Sequence, residues 1–213
     1  MTPNIDHMVR LPQLNRHLRR AYDDADLCLC DSRVLARLAR LVGVRLPVAP
    51  GSDITRLLFD RLPAGDRLFL IGGTAADLAH LQGLYPALSI AQHIPPMGLL
   101  NDPAGRAAAI AAATAADARI ILLAVGSPQQ ELIALEMKRE GKVRGTALCV
   151  GASVDFITGK ERRAPLPVQK AGMEWAWRLA ANPRRMAKRY LVDCPAIFPL
   201  VGRWALARKR SRT

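Results

Sequence analysis

Carboxylates and carboxamides stand where the chain turns sharply, and they suggest its chemistry. Residues 118–131 read ARIILLAVGSPQQE. An apolar run, Ile120 to Val125, is closed by Gly126 and Pro128 and followed by Gln129, Gln130 and Glu131. Such a run predicts a buried central strand, a tight turn and then a helix. Ligands of open α/β sheets bind at the carboxyl ends of strands. The stretch therefore brings a carboxamide pair and a carboxylate to such an end. The competing reading is that these polar groups cap the next helix, and the residues leave both open.

Asp31 has the same setting. It follows the apolar run ADLCLC, residues 25–30, which reads as a buried strand. An aspartate there is a helix N-cap, a catalytic carboxylate or both. Asp53 follows a Pro-Gly-Ser turn, where Ser52 or Asp53 caps a helix over 54–62. Asp155 lies in GASVDFITGK, residues 151–160, between Gly151 and Gly159, and reads as holding that turn. Gly72 and Gly73 end the strand Arg67 to Ile71 and precede an alanine-rich helix. This is a nucleotide-crossover pattern without GxGxxG. A phosphate on the turn and close packing by the two glycines explain it equally well.

Strands and helices must position these residues. Further strands are expected at 46–48, 88–91 and 143–150, and a short strand or strand end passing into a helix at 2–11. Helices are expected over 12–24, 35–41, 104–116, 130–140 and 173–181, with a basic helix over 184–191. The alternation up to Gly159 is that of an open, doubly wound sheet with helices on both faces. Asp31, Gly72-Gly73, Gly126-Ser127 and Gly151 would then gather on one sheet edge. A proline-rich loop, 92–101, reads as either a rigid wall or a plain connection. The alanine-rich helix 104–116 can pack within the chain or against a second copy, so a homo-oligomer is possible.

The 213 residues suit one large domain or a domain with an appendage, and half of them are hydrophobic, enough for a substantial core. The net charge of +13 is concentrated at one end. From Lys160 to Arg212, 14 Lys and Arg stand against 3 Asp and Glu, a surplus of 11 that leaves +2 for the rest. We therefore expect a near-neutral body over 1–160 and a basic, mainly helical appendage over 161–213. Trp175, Trp177, Tyr190 and Trp204 lie among the appendage's basic residues. That mixture suits an anionic membrane surface better than nucleic acid, since no nucleic-acid-binding motif accompanies it. No charge-free run of 18 apolar residues is present, so a conventional membrane span is not expected. The four cysteines form no CxxC pair and the four histidines are not spaced to complete a zinc site, which predicts a reducing, cytosolic setting and no metal.

Taken together, the motifs resemble the WecG/TagA/CpsF family of bacterial glycosyltransferases. They are TPNIDH at 2–7, Asp31, GSDI at 51–54, FLIGG at 69–73, YPAL at 85–88 and VGSPQQE at 125–131. GASVDFITGKERRAP at 151–165, GMEWAWRL at 172–179 and NPRRMAKRY at 182–190 complete the series. Their order, and the pairing of PQQE with the later segments, is specific.

The resemblance implies a Rossmann-like body and a membrane-associating C-terminal appendage. It implies inverting transfer from a UDP-sugar to an undecaprenyl-pyrophosphate-linked saccharide in exopolysaccharide, capsule or wall-polymer synthesis. No cofactor or obligatory metal is implied, nor a nucleic acid partner. The enzyme would sit peripherally on the cytoplasmic face of the plasma membrane. Asp31 is the implied general base, with Gln130 and Glu131 in the catalytic set. Thr2, Asn4, Asp53, Gly72, Gly73, Gly126, Gly151, Asp155, Arg163 and Arg178 are the implied substrate-binding positions. Arg163 and Arg178 would lie where an appendage can fold over the site, or else pair with Glu161 and Glu174. Two positions depart from the pattern: Ser32 follows Asp31 where Gly is usual, and Val48 stands where an Arg is common. The alternative is a catalytically inactive nucleotide- or nucleic-acid-binding protein of the same fold. A third reading is an inactive partner within a polymer-assembly complex.

Overall fold

A computed structural model of the chain describes residues 1–210; Ser211, Arg212 and Thr213, the end of the basic tail, lie outside the described residues. The first half runs α1 (Ile5–Arg10), α2 (Arg16–Asp23), α3 (Arg33–Leu41), α4 (Gly51–Arg61), β1 (Arg67–Gly72), α5 (Ala75–Leu84) and β2 (Ser89–His93). Next come α6 (Pro103–Ala116), β3 (Ile120–Ala124), α7 (Gln129–Glu140), β4 (Thr146–Cys149) and α8 (Ser153–Ile157). The C-terminal part is helical: α9 (Leu166–Ala171), α10 (Glu174–Ala181), α11 (Pro183–Ala187), a π-helical segment at Lys188–Asp193 and α12 (Ile197–Arg210).

Two compact units divide the chain. One comprises Met1, Asn15–Cys28 and Gly51–Glu161; the other comprises Thr2–Leu14, Leu29–Pro50 and the chain from Arg162 on. A boundary thus falls at 161/162, and two earlier segments join the C-terminal residues.

The first unit is built on a parallel sheet of order β2-β1-β3-β4. Alternation along the strands sends successive side chains to opposite faces. Leu68, Leu70, Ile120 and Leu122 pack with Phe59 of α4, Leu81 of α5 and Val154 of α8. Phe69, Ile71, Ile121 and Leu123 pack with Ala109, Ile110 and Ala113 of α6 and Ile133 and Met137 of α7. Helices cover both faces, so the strands read as unbroken apolar runs rather than alternating ones. The small side chains of α6 are used inside this unit, where Ala109 and Ala113 are buried. Asp102 caps α6, accepting the Gly105 N–H at 2.9 Å. Arg106 fixes the proline-rich loop by donating to the Leu99 carbonyl at 2.7 Å, while Glu136 holds its guanidinium.

In the second unit, Val9, Leu35, Leu38, Ile197 and Val201 form a core drawn from α1, α3 and α12. Asn4 caps α1 and Ser32 caps α3.

Residues 25–30 and 46–48 are not strands of the sheet. They contribute one parallel bridge, Cys30 to Val48. A strand needs a ladder, and the unit boundary passes between Cys28 and Leu29, inside the run. On the near side Leu27 is 61% exposed and Asp26 pairs with Lys138 at 2.6 Å. Asp31 accordingly does not end a strand of the sheet. The helix expected over 54–62 starts three residues earlier, at Gly51, so Asp53 sits within its first turn rather than ahead of it.

Candidate functional site

In the first unit, strand order reverses between β1 and β3, the topological switch point at which ligands of open α/β sheets bind. Two turns leave the carboxyl edge there, Gly72 to Thr74 and Val125 to Pro128. Gly72 has φ +102° and a Cβ on it would lie 2.8 Å from the Ala124 carbonyl oxygen. Both its backbone and its packing against β3 require glycine. Gly73, at φ +74°, is crowded by Asp77 and Gln92. The Gln92 amide braces the turn, donating to the Gly72 carbonyl at 2.8 Å and the Thr74 carbonyl at 3.1 Å.

The start of α5 carries its own anion. Thr74 and Asp77 form a capping box, with Asp77 Oδ2 accepting the Thr74 N–H at 2.7 Å and its hydroxyl at 2.8 Å. Lys160 donates to the same oxygen at 2.7 Å and to Thr74 Oγ1 at 3.2 Å. Desolvation pushes the Asp77 carboxyl up. The bonds from Lys160 and Thr74 outweigh it and hold the group below the usual aspartate range. Sequence reading missed Lys160, which is 86 residues from Thr74. Its one signal was its place directly after Gly159 in the DFITGK segment.

The second turn leads into the carboxamide pair. Gly126, at φ +80°, has open space where a side chain would be. Gln130 and Glu131 come together and are 4% and 2% exposed. Gln130 Nε2 donates to Glu131 Oε1 at 2.8 Å, and its Oε1 accepts the Gly151 N–H at 2.9 Å. One carboxamide thus ties the end of β3 to the turn after β4. It leaves Gln130 little contact surface for a ligand. Gly151 takes φ +53° at that junction. Asp155 lies in the first turn of α8, and its carbonyl accepts the Glu161 N–H at 3.0 Å. Asp53 is exposed on α4.

Tyr22 of α2, unmarked in the sequence, also faces this cluster. Burial, then the Glu131 charge, push its phenol up, against an opposing hydrogen bond from Ser127. It remains a hydroxyl at neutral pH. Burial and Glu131 likewise keep Cys149 a thiol, which removes it as a nucleophile.

The second unit brings together Asp31 and the TPN segment. The Asp31 N–H donates to the Pro3 carbonyl at 2.9 Å, between Thr2 and Asn4. The cap of α3 belongs to Ser32, whose hydroxyl accepts the Leu35 N–H at 3.1 Å. Asn4 Oδ1 caps α1, accepting the Asp6 N–H at 3.0 Å. Arg189 reaches this group from the C-terminal segment, 3.4 Å from Asp6 Oδ2, where Arg10 also pairs at 3.0 Å. Arg163 lies 3.8 Å from Glu174, which also takes Arg33 at 2.8 Å. Arg178 lies in α10, with its Nε buried.

The tail presents basic and apolar groups outward. Arg184, Arg185, Lys188 and Arg203 are exposed, and so are Leu191, Val192, Phe198 and Leu206. Trp175 packs edge-on to Tyr190 with ring centroids 6.2 Å apart. Among the described residues, no helix is long and apolar enough to cross a membrane, and no group of three or more His, Cys, Asp or Glu is placed to hold a metal ion.

The family described as "Glycosyl transferase WecG/TagA/CpsF family" matches residues 1–211. The chain belongs to the WecG/TagA/CpsF family of glycosyl transferases.

Proposed function

We propose that the donor is a UDP-sugar, that Asp31 takes the acceptor's proton, and that the protein works on the cytoplasmic face of the membrane. Membership of the family makes the chain an inverting glycosyl transferase with an undecaprenyl-pyrophosphate-linked acceptor. Inversion is a single displacement. The acceptor hydroxyl attacks the anomeric carbon, its proton goes to a base, and the bond to the nucleoside diphosphate breaks with the electron pair on phosphate oxygen.

The observation that supports Asp31 as base is its place directly before α3 with its N–H bonded to the Pro3 carbonyl of the TPN segment. Thr2 and Asn4, on the segment bonded to Asp31, are substrate-positioning candidates, with Arg163 and Arg178. At the switch-point edge, Gly72, Gly73, Gly126 and Gly151 shape the nucleotide side, and Asp53 and Asp155 flank it in sequence. Gln130 and Glu131, buried and bonded to each other, act as positioning residues that set the β3 and β4 ends. Purified protein offered a panel of UDP-sugars and a prenyl-pyrophosphate saccharide is expected to lengthen that acceptor by one sugar. Absence of both transfer and donor binding across the panel overturns the reading.

Peripheral docking is supported by the exposed basic and apolar groups of the tail. Each Lys or Arg near an anionic surface is worth about 1 kcal/mol. Changing Arg184, Arg185 and Lys188 together to Glu should therefore weaken partitioning onto anionic vesicles by roughly 100-fold or more. Flotation of the variant equal to wild type contradicts docking through this patch. Deleting residues 184–213 is a poorer test, because Met186 and Ile197 are each 2% exposed and Ile197 belongs to the second unit's core.

A further inference from the structure

We propose that Lys160 is the cation that binds the diphosphate of the nucleotide-sugar donor, held ready by Asp77 at the glycine turn after β1. This rests on the nucleotide-sugar reading above.

Transfer leaves negative charge on the departing diphosphate, and a pre-positioned positive group lowers the cost of that charge. The switch point locates the donor beside the Gly72-Gly73 turn. The N-terminus of α5 would ordinarily be the anion site there. In this chain the N–H and hydroxyl of the N-cap residue Thr74 are already spent on Asp77, so the helix end carries a counter-charge of its own.

The ion pair has one sealed partner and one open partner. Asp77's side chain is 1% exposed, whereas Lys160's is 44% exposed. The carboxylate charge is directed inward, onto Thr74 and Lys160. An ammonium has three protons; two point at Asp77 Oδ2 and Thr74 Oγ1. The third is left for a ligand on a side chain that is 44% exposed. A lysine anchored by a helix carboxylate so that it meets phosphate oxygens is an established device of phosphoryl-binding sites. Lys160 needs no new backbone arrangement to act, because the capping box that orders α5 also orders Asp77. When the bond from the anomeric carbon to the β-phosphate oxygen breaks, the electron pair stays on that oxygen and Lys160 offsets it.

The test compares two probes, UDP and uridine, by calorimetric titration of the full chain. Lys160→Met should weaken UDP about 10- to 100-fold, the range for loss of one charge-assisted bond. Uridine, which has no phosphate, should bind as to wild type, and Lys160→Arg should recover most of the UDP affinity. Lys160→Gln, which keeps a polar side chain for Asp77 and Thr74, should behave like Lys160→Met. Unchanged UDP affinity in either folded variant overturns the assignment. Parallel loss of UDP and uridine in both variants also overturns it, by showing a purely structural pair. Wild-type protein that binds no nucleoside diphosphate overturns the donor reading itself, and Lys160's role with it.

Discussion

Asp31→Asn is expected to lower the rate of sugar transfer by about 10²–10⁴ while donor affinity stays close to wild type. The exchange keeps the shape of the side chain and removes its capacity to take a proton. The Ser32 cap of the adjoining helix and the Asp31 backbone N–H bond to Pro3 do not involve the carboxylate, so both should persist in the variant. Steady-state kinetics with saturating acceptor, beside donor titration, separates these effects. Near-normal turnover would remove Asp31 as the base. Loss of donor binding with turnover would make it a substrate ligand instead.

Gln130→Leu should produce the largest loss of stability among the site residues. The side chain of Gln130 serves two buried partners, the Glu131 carboxylate and the Gly151 N–H. An apolar replacement withdraws a donor from one and the acceptor from the other, at about 1–3 kcal/mol each. At roughly 2–4 °C per kcal/mol for a chain of this size, the midpoint of thermal unfolding should fall by about 5–20 °C. A midpoint within 1 °C of wild type, together with a raised KM for donor, would instead make Gln130 a substrate contact. The positioning role predicts the reverse pattern, with Tm falling and KM changing little in the protein that remains folded.

The parts of the fold that were legible in the sequence are those fixed by local periodicity. The runs at 67–71 and 120–125 became β1 and β3, and α6 and α7 start within a residue of their expected positions. ADLCLC misled because apolar content alone does not supply a ladder partner. Nothing local shows that Asp26 is drawn out to Lys138, or that the unit boundary follows Cys28. Residues 2–14 and 29–50 share a unit with the C-terminal helices through long-range packing of Val9, Leu35 and Leu38 with Ile197 and Val201. Such contacts leave no periodic trace. The same holds at the site. The PQQE turn was visible from its composition, but which polar groups it seals inside was not. Gln130 and Glu131 were expected in the catalytic set, and the bonds from Gln130 to the Glu131 carboxylate and the Gly151 N–H link them inside the fold. Lys160 went unnoticed because Asp77, which anchors it, lies 83 residues away.

Inverting transfer from a UDP-sugar to a lipid-linked saccharide leaves its record in the product itself. Wild-type protein would be incubated with a mixed UDP-sugar panel and a prenyl-pyrophosphate saccharide held in anionic vesicles. Mass spectrometry and the anomeric proton coupling of the purified product would then be recorded. The product should carry one additional sugar residue, with the anomeric configuration opposite to that of the donor. A product of retained configuration, or an acceptor unchanged after exposure to every donor, would contradict it.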